Sequence, residues 1–172
     1  MNLRTMGVAI GVPEPFATEL QKWREVLGDP LAFAVPPHVT LVPPTELDDA
    51  ELVDVEKHLN VVAGEQTGFE ITLRGTGSFR PVSPVVFVAL AAGISGCKRL
   101  EKAVRSGPLD RPVKFNYHPH VTVAHDVPED ILNRAFTGLA DYHARFGVLS
   151  FGLFEQGADG VWRTVREFAL GG

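Results

Sequence analysis

From Met6 to Val12 the chain is apolar apart from two glycines, the pattern of a strand buried on both faces. Pro13 and Pro15 then open a segment in which Phe16, Leu20, Trp23 and Leu27 recur at helical spacing, and Gly28 with Asp29-Pro30 stops it. His38-Val39-Thr40-Leu41-Val42 reads as a second strand ending at Pro43-Pro44. Thr45 and Asp48 have the spacing of a capping box for a helix with inner stripe Leu52, Val55, Leu59 and Val62. Phe69 to Arg74 alternates as a half-buried strand does, and Pro84 to Leu90 is apolar throughout, as in a central strand; Gly75, Gly77 and Pro81 punctuate the hairpin between them. Ser95 is placed to cap a third helix whose inward side carries Leu100, Ala103 and Val104, ending before Gly107-Pro108. His120-Val121-Thr122-Val123 predicts another strand, and Pro128 with Glu129 and Asp130 a helix whose apolar face is Ile131, Leu132, Ala135, Phe136 and Leu139. Phe146 to Phe154 and Val161 to Leu170 predict a closing hairpin across Gly157-Ala158-Asp159-Gly160.

The predicted order is βαβαββαβαββ, with each histidine strand preceded by one helix and followed by another. Val35-Pro36-Pro37-His38-Val39-Thr40-Leu41 and Tyr117-His118-Pro119-His120-Val121-Thr122-Val123 share the form Pro-His-Val-Thr-apolar, about half the chain apart. A degenerate internal duplication within a single unit, residues 1 to 172, accounts for both facts.

Composition narrows the partners. The 172 residues are 45% hydrophobic and 22% charged, enough for a substantial core. A net charge of −5 argues against an extended nucleic-acid track, because such binding rests on many phosphate contacts, while a single small or terminal phosphate remains compatible. The lone Cys97 forms no internal disulfide, and no secretory leader opens the chain at Met1, so a cytoplasmic location is expected. No run approaches the roughly 18 apolar residues of a membrane span. A monomer is expected.

Side chains at i and i+2 of a strand share a face, so His38 and Thr40 point one way and Val39 and Leu41 the other; His120 and Thr122 repeat this. Metal-free cleavage of a phosphodiester needs a base, an acid and donors to the non-bridging oxygens. Two histidines and two threonines fill those posts. A single His-x-Thr is ordinarily a surface or satisfied core feature; its repetition at equivalent places selects this pair as catalytic. His118 and His125 raise a metal-site reading, but no further ligand follows at a recognisable spacing, so neither metal nor cofactor is expected. His58 and His143 are expected on helices facing solvent, His125 beside the helix that starts near Pro128, and Cys97 buried and inert.

With its paired His-x-Thr-x motifs, His38 to Leu41 and His120 to Val123, the chain resembles the two-histidine phosphoesterase superfamily, which includes the bacterial 2′–5′ RNA ligase-like and RNA cyclic phosphodiesterase proteins. Gly75-Thr76-Gly77-Ser78-Phe79 leading into Pro84 to Val88, and the closing hairpin, extend the resemblance over nearly the whole chain. It implies an α+β fold of two duplicated βα lobes, with antiparallel sheets lining a central cleft. It also implies metal-independent action on 2′,3′-cyclic phosphates, 2′–5′ linkages or small nucleotide cyclic phosphates, with His38 as acid and His120 as base. RNA-handling relatives tend to carry arginines beside the second motif, where this chain has Ala124-His125-Asp126, so the expected partner is a nucleotide or the cyclic phosphate of an RNA end. Candidate substrate contacts are Phe115 and Tyr117, which could stack on a base, and the basic residues Arg80 and Lys114, with Arg111 nearby. The alternative is a non-catalytic nucleotide- or phosphate-binding module using the same cleft. For either, raising salt should weaken binding of a mononucleotide only slightly; a steep salt slope with long RNA, read in a binding titration, would reveal a basic track instead.

Overall fold

A computed structural model describes residues 2–171. In chain order it contains β1 (Arg4–Gly11), α1 (Phe16–Val26), β2 (His38–Leu47), α2 (Asp49–Glu65), β3 (Phe69–Ser78), β4 (Val85–Ala92) and α3 (Ile94–Val104). A 3-10 turn at Gly107–Leu109 leads to β5 (His120–His125), α4 (Glu129–Gly138), β6 (His143–Val148), β7 (Ser150–Gln156) and β8 (Trp162–Ala169). The strands form two four-stranded sheets, β2-β1-β7-β8 and β5-β4-β3-β6, in which every neighbouring pair is antiparallel. The fold is therefore α+β with two curled antiparallel sheets.

Each histidine strand is the edge of its sheet, hydrogen-bonded to the strand that precedes it across a helix: β1-α1-β2 in one sheet, β4-α3-β5 in the other. The two edges meet where the sheets approach, and the Tyr117 hydroxyl donates across the junction to the Thr40 carbonyl at 2.7 Å. Behind them lies a contiguous apolar cluster that includes Leu20, Val39, Leu41, Leu59, Leu73, Val88, Leu100, Val121, Val123 and Phe151. Burial of such side chains is the main favourable term holding the sheets to their helices.

Several predicted boundaries move, each for a physical reason. Strand β2 runs through Pro43-Pro44 to Leu47; an edge strand tolerates prolines because the missing N–H need not pair. Thr45 is thus on the strand, and the cap of α2 is Asp48, whose carboxylate accepts from the Glu51 N–H while Glu51 returns the bond to the Asp48 N–H. The predicted stripe Leu52, Val55, Leu59 and Val62 is buried. Gly75, with φ 72, and Gly77 lie within β3, where the pairing with β4 shifts register, so they bend the strand instead of ending it. The cap position of α3 is Gly93, with φ 94, not Ser95. On α4, Leu132 and Ala135 are buried but Phe136 is exposed. His143 is on β6, not a helix, and His58 on α2 faces the Ala103 and Val104 carbonyls. The segment Phe146 to Phe154 is not one strand: it breaks at Leu149, leaving β6 on β3 in one sheet and β7 on β1 in the other. Among the described residues no helix is long and apolar enough to cross a membrane.

The loop from α1 to the first histidine is held by a buried ion pair. Arg24 Nε donates to Asp29 Oδ2 at 3.0 Å, its other donors reach the Leu31 and Val35 carbonyls, and Asp29 also accepts from the Leu31 N–H. Removing one partner strands the other charge, so Asp29→Ala should cost about 3–5 kcal/mol in denaturant unfolding. A loss of under about 1 kcal/mol would show that this pair does not hold the loop.

Candidate functional site

Both motifs carry the same irregularity. In β2, Thr40 pairs with Ala9 and Val42 with Val8, so Leu41 is skipped; in β5, Thr122 pairs with Phe87 and Ala124 with Val86, so Val123 is skipped. A bulge thus falls on the fourth residue of each His-x-Thr-x, and such bulges re-aim the side chains that follow. Val39, Leu41, Val121 and Val123 are all fully buried, while His38, Thr40, His120 and Thr122 stay half-buried on the opposite face. Simple alternation would put His125 on the core side with Val121 and Val123. The bulge returns it to the cleft side with Thr122.

The imidazoles are pinned alike. His38 Nδ1 bonds the Pro36 carbonyl at 2.8 Å, and His120 Nδ1 bonds the His118 carbonyl at 2.6 Å. A carbonyl only accepts, so Nδ1 carries the proton and Nε2 is left with its lone pair. The prolines just before the histidines, Pro37 and Pro119, are buried and fix the approach of each strand. In the first motif the Thr40 hydroxyl donates to His38 Nε2 at 3.1 Å. Burial pushes the His38 pKa below its ordinary value, and the nearby Arg24 charge adds to this against the opposing bond to Pro36. Burial lowers that of His120 as well, with the charges of His118 and His38 contributing. The two motif histidines therefore sense one another, and both are neutral near pH 7 in the free protein.

Between the sheets lies a cleft of about 250 Å³ bounded by His38, Thr40 and Thr122, with Arg24, Asp29, His125, Phe154 and Trp162 also on its wall. His120 stands beside it with its ring edge-on to Phe79 and tilted over Phe87, at centroid separations of 4.9 and 5.1 Å. The structure thus brings both motifs to one cleft. The expected substrate contacts are not among the residues that line it. Tyr117 packs against the core, with its hydroxyl committed to Thr40. Phe115 is 65% exposed and lies under Lys114 Nζ, 5.7 Å from its ring. Arg80 donates to Ser78, Glu129 and Asn133, and Arg111 to Glu51 and the Pro108 carbonyl. Among the described residues no three His, Cys, Asp or Glu side chains converge as metal ligands; His118 packs on Phe79 and Phe87. Cys97 is buried, its thiol pushed up to about 12 by that burial. Sequence reasoning missed Arg24, Asp29, Phe154 and Trp162. The one signal available was that Trp162 sits two residues past the turn glycine, in the closing hairpin.

Comparison with known proteins gives this geometry a family. The family model described as the 2'-5' RNA ligase superfamily matches residues 12–160. The "Putative phosphoesterase" of Geobacillus kaustophilus is 28% identical over 170 residues, covering 96% of each chain. A protein of the same description from Bacillus mycoides is 26% identical, over 83% of this chain and 84% of its own. Among solved structures, Escherichia coli LigT complexed with 3'-AMP superposes with TM-score 0.73 at 24% identity, over 98% of this chain and 99% of its own. A Thermus thermophilus protein gives TM-score 0.72 at 24% identity, over 98% of each chain. The paired edge strands, the repeated bulge and the family match agree: this chain belongs to the 2′–5′ RNA ligase superfamily of two-histidine phosphoesterases.

Proposed function

We propose that the protein is a metal-independent phosphoesterase acting on 2′,3′-cyclic phosphate or 2′–5′ phosphodiester bonds of RNA ends or nucleotides, with His38, Thr40, His120 and Thr122 as its catalytic residues. The observation that carries this reading is that His38, Thr40 and Thr122 bound one cleft with His120 beside it, both imidazoles pinned through Nδ1 and each with a threonine hydroxyl on its own face. Water attacks phosphorus and gives its proton to Nε2 of one histidine. The bond to the leaving oxygen breaks, and that oxygen takes the proton from Nε2 of the other. Thr40 and Thr122 donate to the non-bridging oxygens as charge builds there, Thr40 turning its hydroxyl from His38 to the phosphate. His38 is assigned as acid and His120 as base. With a 5′-hydroxyl in place of water the same forward steps join that hydroxyl to the cyclic phosphate, and run backwards they open the 2′–5′ linkage to the cyclic phosphate again, so hydrolysis and ligation use the same two proton transfers. Support comes also from LigT, whose structures hold 3'-AMP, ATP and NADP+.

The test is turnover in excess chelator of nucleoside 2′,3′-cyclic phosphates, cyclic-phosphate-ended RNA and 2′–5′ dinucleotides. His38→Ala and His120→Ala should each lose about 10²- to 10⁴-fold, and the double variant little more than either, because the groups act as a unit. Thr40→Ala and Thr122→Ala should each lose about ten- to a thousandfold in kcat with the fold intact. Tight nucleotide binding with no turnover of any of these would establish the binding module instead.

The pH profile follows from the same groups. Catalysis needs one imidazole neutral and the other protonated, and both lie below the ordinary value of 6.5 in the free protein. The acid is therefore lost as pH rises and the base as pH falls, through two values that both lie under 6.5. The kcat/KM profile should be a bell with its maximum on the acid side of 6.5, its limbs belonging to the coupled pair. In kcat the alkaline limb should move up, because a bound phosphate favours the imidazolium. A kcat/KM maximum well above neutrality would contradict the assignment.

A further inference from the structure

The motifs match, but the floors beside them do not. In the first sheet Gly11 pairs with His38 and Ala9 with Thr40; one strand further, Gly152 pairs with Ala9 and Phe154 with Gly7. Cross-strand partners share a face, so beside the first motif the cleft face of β1 carries Gly7, Ala9 and Gly11, while Gly152 beyond it is covered by the Phe154 ring and the Glu167 carboxylate. A Cβ added at Gly11 would meet nothing within 4 Å. In the second sheet Ala89 pairs with His120, but Phe87 pairs with Thr122, where the first sheet has Ala9. The Phe87 ring lies over Gly77, where an added Cβ would come within 2.6 Å of it, and against Phe79 at 4.6 Å. The room beside His120 is filled with aromatic rings, while the equivalent room beside His38 is open.

The open side is walled by Phe154 and Trp162. The indole lies over Gly7, where an added Cβ would stand 3.4 Å from its Cζ3. The Trp162 backbone N–H donates to the Ala34 carbonyl at 2.8 Å, which ties the ring's position to the loop clamped by Arg24. Arg24 and Asp29 spend their charges on each other and on that loop, so neither presents a free charge to a ligand in the slot, whose far wall is aromatic.

We propose that Trp162, with Phe154 beside it and the glycine floor of β1, is the platform on which the substrate's nucleobase stacks. The ligand class is a nucleotide with a terminal or cyclic phosphate, whose nucleoside lies over the first sheet on the His38 side of phosphorus. The attacking water then comes from the His120 side. This rests on the proposed hydrolysis and deepens it. When a 2′,3′-cyclic phosphate opens, the bond that breaks leaves its oxygen on the ribose, so a nucleoside on the His38 side presents that oxygen to His38 Nε2 for its proton, while water's proton goes to His120. Aromatic stacking of a base tolerates any base, which suits a slot without polar readers.

The protein has two tryptophans, and Trp23 is placed against Gly138 of α4, outside the cleft wall, so a Trp23→Phe protein reports on Trp162 alone. Adding 2′-AMP should quench its fluorescence and inorganic phosphate should not; the quench should persist when His38→Ala is added. In the kinetic arm, Trp162→Ala should raise KM for adenosine 2′,3′-cyclic phosphate and for a cyclic-phosphate-ended oligoribonucleotide roughly ten- to a hundredfold, with a much smaller change in kcat. Trp162→Phe should recover most of the loss. If 2′-AMP leaves the fluorescence unchanged, or Trp162→Ala leaves KM unchanged, the platform is wrong even where hydrolysis is intact. If no cyclic phosphate is turned over, the quench alone decides the platform, so the two readings fail separately.

Discussion

An imidazole that has committed its Nδ1 proton to a backbone carbonyl has one nitrogen left with which to do chemistry, and the rest of this site is arranged around that constraint. His38 bonds the carbonyl of Pro36 and His120 that of His118, each two residues upstream in its own chain segment. The tautomer, the ring plane and the direction of Nε2 are fixed by local geometry and do not depend on what enters the cleft. Burial lowers the pKa of both rings, so in the proposed reaction the protons to be moved must arrive with, or be retained by, an anionic ligand.

That local geometry survives because larger structure supports it. Each motif is an edge strand beside a hydrogen-bonded partner and backed by a fully buried valine and its neighbour, so sliding by one residue would bury the histidines and expose the core. The bulge at Leu41 and at Val123 lets each strand present its histidine and threonine to the cleft and still return an apolar residue to the interior immediately afterwards. The Tyr117 hydroxyl, given to the Thr40 carbonyl, ties the approach to the second motif to the backbone of the first.

The four motif side chains were legible because strand periodicity and repetition are properties of sequence. So were the buried stripes of the helices and the turn at Gly157 to Gly160. What was not legible depends on pairing. Pro43-Pro44 ends a strand unless that strand is an edge, and only the sheet order says so. Alternation alone sends His125 to the core, and only a bulge changes its phase. The split at Leu149 hides in an apolar stretch that continues unchanged from one sheet to the other. Proximity in sequence pointed to Phe115 and Tyr117 as stacking residues, whereas the aromatic wall of the cleft comes from Phe154 and Trp162, near the far end of the chain and brought to the first motif only through β1. An open floor made of glycine and alanine carries no signal until its neighbours are known.

The proposed chemistry asks that His38 and His120, each with its proton on Nδ1, titrate as a low-pKa pair and pass a proton across phosphorus. Its most direct test is nitrogen-detected NMR titration of the histidine side chains, assigned through His38→Ala and His120→Ala. Expected are the Nδ1–H tautomer for both, midpoints below 6.5, a rise in the His120 midpoint when His38 is removed, and a rise in at least one midpoint when 2′-AMP binds. An Nε2–H tautomer at either residue, or independent midpoints at or above 6.5, would contradict it.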